Sequence, residues 1–266
     1  MILAQAPGFH VPEVTHLFTF APLFSFEVGP ITFNVTFITV VMFALSFLIA
    51  FLFVGAFARP KVVPTGLQNA MEVAVEGVRE NIVAPTIGVA DGEKWMPFLT
   101  SMFFFVFALN FMEVVPGVQF PISSRMAIPA LLAGLAWLIF NFVGIRSQGF
   151  FRYFKGMLFP PGVPKPIYVI LTPIEFFSTL IVRPLTLAVR LFANMMAGHV
   201  MLTIFFLASA YFLYVSDSLF LRVISPAPIL LGIILVVFEM FIGLIQAFII
   251  TILTAVYIGG ALHPEH

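Results

Sequence analysis

Five stretches of this chain contain no Asp, Glu, Lys or Arg at all: residues 28–58, 95–112, 126–145, 191–216 and 240–264. Each approaches or exceeds the ~20 residues that a helix needs to cross a hydrocarbon core. Composition agrees, with 61% of residues apolar and 9% charged, against about 25% charged in a soluble domain. The expected fold is an all-α integral membrane protein with five transmembrane helices. A net charge of zero leaves no basic footprint for nucleic acid. The absence of cysteine excludes disulfide frameworks and thiol catalysis. Residues 1–6 include Ala4-Gln5-Ala6, but they lack a basic leader and a long apolar run. They are expected to belong to the mature chain rather than to a cleaved signal.

The order of segments follows from apolar runs and their stops. Residues 1–30 carry Pro7, Pro12, Pro22 and Pro30 without a sustained period, and are expected as an extended arm outside the membrane. Residues 31–263 are expected as a single membrane domain. Its first span, 31–57, is stopped by Arg59-Pro60-Lys61. Residues 65–83 place Leu67, Met71, Val75 and Val78 at helical spacing, with Glu72, Glu76, Arg79 and Glu80 elsewhere. That pattern is an amphipathic helix, too charged to span and expected at the membrane surface. Spans over 95–115 and 126–145 follow, the former ended by Pro116-Gly117, and then a polar, basic loop over 146–165.

The end of the chain holds two overlong segments, 173–208 and 229–261, the second opened by Pro226-Ala227-Pro228. The first amounts to about 54 Å of helix, whereas the core is only ~30 Å thick. Such helices must tilt, bend or run along the membrane. They are expected as a long, strongly tilted hairpin lying against a curved partner. Arg59, Lys61, Arg79, Lys94, Arg146, Arg152, Lys155 and Lys165 all fall in the connections of one side, and only Arg125 and Arg222 in those of the other. The positive-inside bias makes the basic side cytoplasmic, with the N-terminus outside and the C-terminus inside.

The hairpin nevertheless carries Glu175, Arg183, Arg190, His199 and Glu239, with polar Ser178, Thr179, Thr186, Asn194 and Gln246. A charge at mid-membrane costs at least ~2.5–3.5 kcal/mol, so each needs a partner, a wet cavity or a route to the interface. Arg190 lies ~26 Å of helix beyond Pro173. Arginine keeps its proton. It therefore acts either as a fixed positive barrier and temporary carboxylate partner, or in an internal ion pair with Glu239. Arg183 either snorkels to the cytoplasmic interface or lines a channel. Asn194, at i+4 from Arg190, shares its face. Glu239 and Gln246 are seven apart and share another. In an antiparallel hairpin Glu239 approaches His199 and Gln246 approaches Arg190. Imidazole and carboxylate both exchange protons, so the first pair suits a relay; an inert buried pair is the alternative. Thr186, Thr179 and Glu175 roughly follow the helical period on the other side of Arg190. They either line a second wet path, with Ser178, or bond to their own backbone. Asn110 and Glu113, at the outer end of the second span, line a vestibule or meet solvent at the interface.

The run Ile174-Glu175-Phe176-Phe177-Ser178, Arg183-Pro184 and Arg190-Leu191-Phe192-Ala193-Asn194-Met195-Met196-Ala197-Gly198-His199 resembles the signature helix of subunit a of the bacterial F-type ATP synthase. Gln246-Ala247-Phe248, Leu253-Thr254 and Tyr257 resemble its last helix, and Pro97-Phe98, Asn110 and Pro116-Gly117 also fit. The resemblance implies a proton-channel subunit of the bacterial plasma membrane, not an enzyme by itself, with no cofactor and no metal. It implies two offset half-channels serving a rotating c-ring of carboxylate-bearing subunits, and a b-subunit peripheral stalk as a further partner. The family's essential arginine falls on Arg190, its glutamine on Gln246 and its asparagine on Asn194. Position 199 is often Glu in the family, with His on the last helix; here the two are exchanged as His199 and Glu239, which supports their proximity. Ser123-Ser124-Arg125 replaces the usual Asn-rich opening of the third span. The chain has no G-x-x-x-x-G-K-[ST] loop, so ATP chemistry is expected on other subunits. A secondary transporter predicts inverted repeats, which are not evident, and a mere membrane anchor leaves the mid-membrane charges unexplained.

Overall fold

The structure is a computed structural model and describes residues 22–29, 31–115, 122–159 and 164–263. Most of the expected N-terminal arm, and Pro116-Gly117, lie outside the described residues.

The described chain opens on an antiparallel hairpin of β1, Pro22–Val28, and β2, Ile31–Thr36, turned at Gly29 with φ 64°. The first membrane helix, α1, is Phe37–Phe57. It starts six residues later than the apolar run suggests. Residues 31–36 alternate apolar and polar and are rich in β-branched side chains, which favours a pleated strand over a helix. Helix α2, Leu67–Val78, continues through a π turn, Arg79–Val83, into Ala84–Thr86. Helix α3, Met96–Phe111, is the second apolar helix. Its 16 residues amount to about 24 Å, and the chain turns before Glu113 instead of continuing to residue 115. Helix α4, Ala127–Gln148, is followed by the short α5, Phe150–Leu158.

The final segments are longer than the apolar runs indicate. Helix α6, Tyr168–Phe177, passes through a second π turn, Ser178–Val182, into α7, Arg183–Tyr214. Together they form 47 continuous residues, about 70 Å. Pro173 lies inside α6 rather than opening it. A short turn of helix, Leu219–Ile224, precedes α8, Pro226–Leu262. Among the described residues four helical stretches are long and apolar enough to cross a membrane, and α3 is a shorter apolar helix. Helices satisfy every backbone group internally, the condition for crossing lipid. The chain is thus an all-α multi-pass membrane protein, with one small β-hairpin among the described residues.

Contacts gather the chain into two compact units, one of Met1–Ala44, Leu109–Arg125 and Phe192–Leu244, the other of Leu45–Ala108, Met126–Leu191 and Ile245–His266. In the second unit the buried cluster includes Val78, Ile82, Val83, Leu99, Phe140, Tyr153, Ala255 and Ile258. The amphipathic helix therefore packs the end of its apolar face on protein. Gln68 fixes its start by accepting from Lys61 N and donating to Lys61 O, both at 3.0 Å. The buried stripe of α8 runs Ala247, Ile250, Thr251, Thr254, Ala255, Ile258 and Ala261. Small residues of this kind let helix backbones approach in lipid, where packing rather than water exclusion drives association. At Gly259 the carbonyl of Thr86 occupies the space of a Cβ. The Ala261 carbonyl, left without a partner in its own helix end, accepts from Ser147 Oγ at 2.9 Å and Gln148 Nε2 at 2.8 Å.

In the first unit, Ser209 Oγ donates to Ser225 O at 2.7 Å and the Phe206 ring packs on Gly232. These contacts join α7 to the start of α8. At the base of the hairpin, Thr36 is buried and the Arg125 guanidinium lies 3.5 Å from its hydroxyl.

Candidate functional site

The first unit brings together three titratable side chains from three segments. Glu113 comes from the turn after α3, His199 from α7 and Glu239 from α8. His199 Nδ1 and Glu113 Oε1 are 3.9 Å apart. Glu113 is only 3% exposed, so it belongs to this cluster and does not meet solvent at an interface. The Glu239 carboxylate lies directly on Gly198, in the space a Cβ there would take, and close enough to Glu113 for their charges to interact. Glu239 thus reaches α7 beside His199, in the antiparallel register inferred from spacing. Asn110 Nδ2 donates to the Gly243 carbonyl at 3.1 Å. That bond ties α3 to α8 one turn from Glu239 and holds the cluster in place. A partly buried imidazole 3.9 Å from one carboxylate, with a second carboxylate resting on the adjoining residue of its helix, is suited to passing a proton.

Sequence spacing placed Glu239 near His199, but it left Glu113 open between vestibule and interface. The contribution of Gly198 went unseen. Its one signal is the lack of a side chain beside His199, and Ala188, Ala193 and Ala197 on the same helix are nearly as small. Ser123 and Ser124 are also buried, and Ser123 Oγ has no hydrogen-bond partner among the described residues.

The second unit holds the other polar set. Arg183 lies 3.9 Å from the Glu175 carboxylate and 5.2 Å above the Tyr257 ring. It therefore has both an anion and an aromatic face as partners, a seat that snorkelling alone does not require. The π turn at residues 178–182 changes the phase of the preceding helix. Thr179 is consequently buried while Thr186 is exposed and Glu175 and Ser178 are partly so. The three residues spaced at the helical period do not share one environment. The freed Thr179 carbonyl accepts from Trp137 Nε1 at 3.3 Å. Thr186 Oγ1 bonds to the Arg183 carbonyl at 3.0 Å, the local backbone bond that was the alternative to channel lining. Tyr153, outside the spans on α5, donates to Asn141 Oδ1 at 3.2 Å. Burial raises its phenol above the ordinary value, with the Arg183 charge opposing.

Arg190 is exposed on α7. The unit's acid on the same helical stretch, Glu175, faces Arg183 instead. No described acidic side chain of that unit lies within ion-pair range of Arg190. Leu185, Thr186, Val189, Ala193, Asn194 and Ala197 are exposed along α7 with it. A permanent cation is thus displayed on a largely apolar helix surface, where it needs a partner or water. Gln246 is buried, at 3% exposure. No group of three or more His, Cys, Asp or Glu able to hold a metal occurs among the described residues.

A family model described as ATP synthase A chain matches residues 36–259. The chain belongs to the ATP synthase A chain family. Curated relatives match over most of the chain. ATP synthase subunit a of Rhodococcus erythropolis is 40% identical over 260 residues, covering 98% of this chain and 93% of the relative. Subunit a of a Parafrankia species is 43% identical over 264 residues, covering 98% and 87%. That of Frankia alni is 46% identical over 224 residues, covering 82% and 76%.

Proposed function

We propose that this chain is the proton-translocating stator subunit of a rotary ATP synthase, and that Arg190 couples proton flow to rotation. The observation that carries the reading is a permanent cation exposed on an apolar helix surface of a membrane protein of this family. Its missing counter-charge is the carboxylate of a c-ring subunit. Protons approach through an outer half-channel past Glu113, His199, Glu239, Asn110 and Asn194. They neutralise a ring carboxylate, which then enters lipid, where its ion could not. After rotation the carboxyl releases its proton into an inner path served by Thr186, Ser178 and Glu175. Arg190 attracts the resulting carboxylate, with Gln246 as its helper, and bars direct leakage from one path to the other. Each proton crossing 100 mV delivers ~2.3 kcal/mol, so several are coupled to each ATP. The chain sits in the bacterial plasma membrane with its N-terminus outside and C-terminus in the cytoplasm, beside the b-subunit peripheral stalk. Nucleotide chemistry takes place on other subunits.

The test is ATP-driven acidification of membrane vesicles carrying the assembled complex, wild type against Arg190→Ala. The mutant complex is expected to assemble and to lose coupled pumping. Undiminished pumping by an assembled Arg190→Ala complex would overturn the assignment.

A further inference from the structure

The β-hairpin before α1 divides its residues by chemistry. The register pairs Phe24 with Val35, Phe26 with Phe33 and Val28 with Ile31. Directly paired residues share a face of the sheet, so Phe24, Phe26 and Val35 stand on one apolar face. The intervening pairs, Ser25 with Asn34 and Glu27 with Thr32, form a wholly polar opposite face. Leu23 stands apart, at the irregularity between Pro22 and Phe24. Phe24 is 58% and Phe26 48% exposed, so the apolar face is not folded into the protein's core. A two-stranded hairpin is marginal in water at best and needs something against its apolar side.

Position identifies what that is. β2 ends at Thr36 and α1 begins at Phe37, with no residue between them. The 21 residues of α1 rise about 31 Å, the full thickness of a ~30 Å hydrocarbon core. The hairpin therefore starts where the core stops. Exposed apolar side chains also mark the start of α1, at Phe37, Val40 and Phe43. At its base, Thr36 packs beside Arg125, which limits how far the hairpin can swing away.

We propose that this hairpin lies in the bilayer interface as a β-structured float, with Phe24, Phe26 and Val35 toward the acyl chains and Ser25, Glu27 and Asn34 toward water. The occupant of the apolar face is lipid. It anchors the start of α1 at a fixed depth, much as an amphipathic helix does with its apolar stripe. The inference needs only the membrane location of the chain and stands apart from the proton-path reading.

The chain has no cysteine, so single nitroxide labels can be introduced cleanly. Phe24→Cys, Ser25→Cys, Phe26→Cys, Glu27→Cys, Asn34→Cys and Val35→Cys are labelled in the assembled complex in lipid bilayers, with the unsubstituted complex as background. Collision with oxygen, which concentrates in lipid, is compared with collision with a water-soluble nickel chelate. Labels at 24, 26 and 35 are expected to favour oxygen and those at 25, 27 and 34 the chelate, alternating with a period of two. Chelate access at all six positions would overturn the proposal by placing the hairpin in water. Shielding of 24, 26 and 35 from both reagents would overturn it in favour of a protein cover, whether another subunit or residues 1–21. The polar-face labels leave the apolar face intact. If they prove inaccessible to the chelate, the proposal also fails.

Discussion

Gly198→Ala isolates the placement of Glu239 with a single methyl group. A Cβ at residue 198 falls 2.5 Å from each Glu239 carboxylate oxygen, whereas ordinary contact begins at 3.4 Å. The carboxylate must retreat by roughly 1 Å, and overpacking of this kind costs about 1–3 kcal/mol. The obstructing atoms are the end of a flexible side chain, so the backbone is spared and the complex is expected to assemble. Proton transfer needs the carboxylate back in its place, and regaining that place costs the same ~1–3 kcal/mol, which at ~1.36 kcal/mol per tenfold is a roughly 5- to 150-fold slower transfer. The assay is ATP-driven acidification of vesicles, normalised to assembled complex. A second substitution makes the argument specific. Glu239→Asp shortens the side chain by one C–C bond, about 1.5 Å, and clears the added methyl. Asp at 239 should therefore cost less in the Gly198→Ala background than in the wild type, a positive coupling in a double-mutant cycle. Wild-type pumping by Gly198→Ala, or strictly additive effects of the two changes, would refute the placement of the carboxylate on α7.

Two further outcomes are expected. Replacing His199 or Glu239 singly lowers pumping in part, and the double exchange His199→Glu with Glu239→His restores some of it; an exchange worse than both singles would show that the two do not act together. Gly259→Ala drives a methyl into the Thr86 backbone carbonyl, which unlike a side-chain end cannot step aside. It should destabilise by at least about 1–3 kcal/mol, seen as loss of the chain from the complex at lower temperature, and unchanged thermal retention would contradict the close approach.

Much of the architecture was legible in the charge pattern, because a span in lipid announces itself by what it excludes. Spacing along α7 and along α8 also served, once the two are taken as antiparallel. Glu239 was directed toward His199, and the resulting contact is with the neighbouring Gly198. Where geometry departs from a uniform helix, residue spacing misleads. The strand Ile31–Thr36 was hidden inside a charge-free run, since lack of charge does not distinguish a six-residue strand from the first turns of a helix. The π turn Ser178–Val182 separated Thr179 from Thr186, because an inserted residue rotates everything beyond it. Glu113 was ambiguous for a different reason: its burial depends on a turn after α3 and on side chains from two distant helices.

The sequence by itself determined that the chain is a multi-pass helical membrane protein, that its last helices exceed the membrane's thickness, and that Arg190 is an unusual charge within them. Those conclusions rest on local properties, namely transfer cost and rise per residue, which need no knowledge of neighbours. Only the tertiary structure decided that His199 stands 3.9 Å from Glu113, that Glu239 rests on a glycine, and that Arg183 is held between Glu175 and Tyr257. Such pairings depend on the relative phase and depth of separate helices. Side-chain volumes at their contacts set both, and no spacing within one helix encodes them.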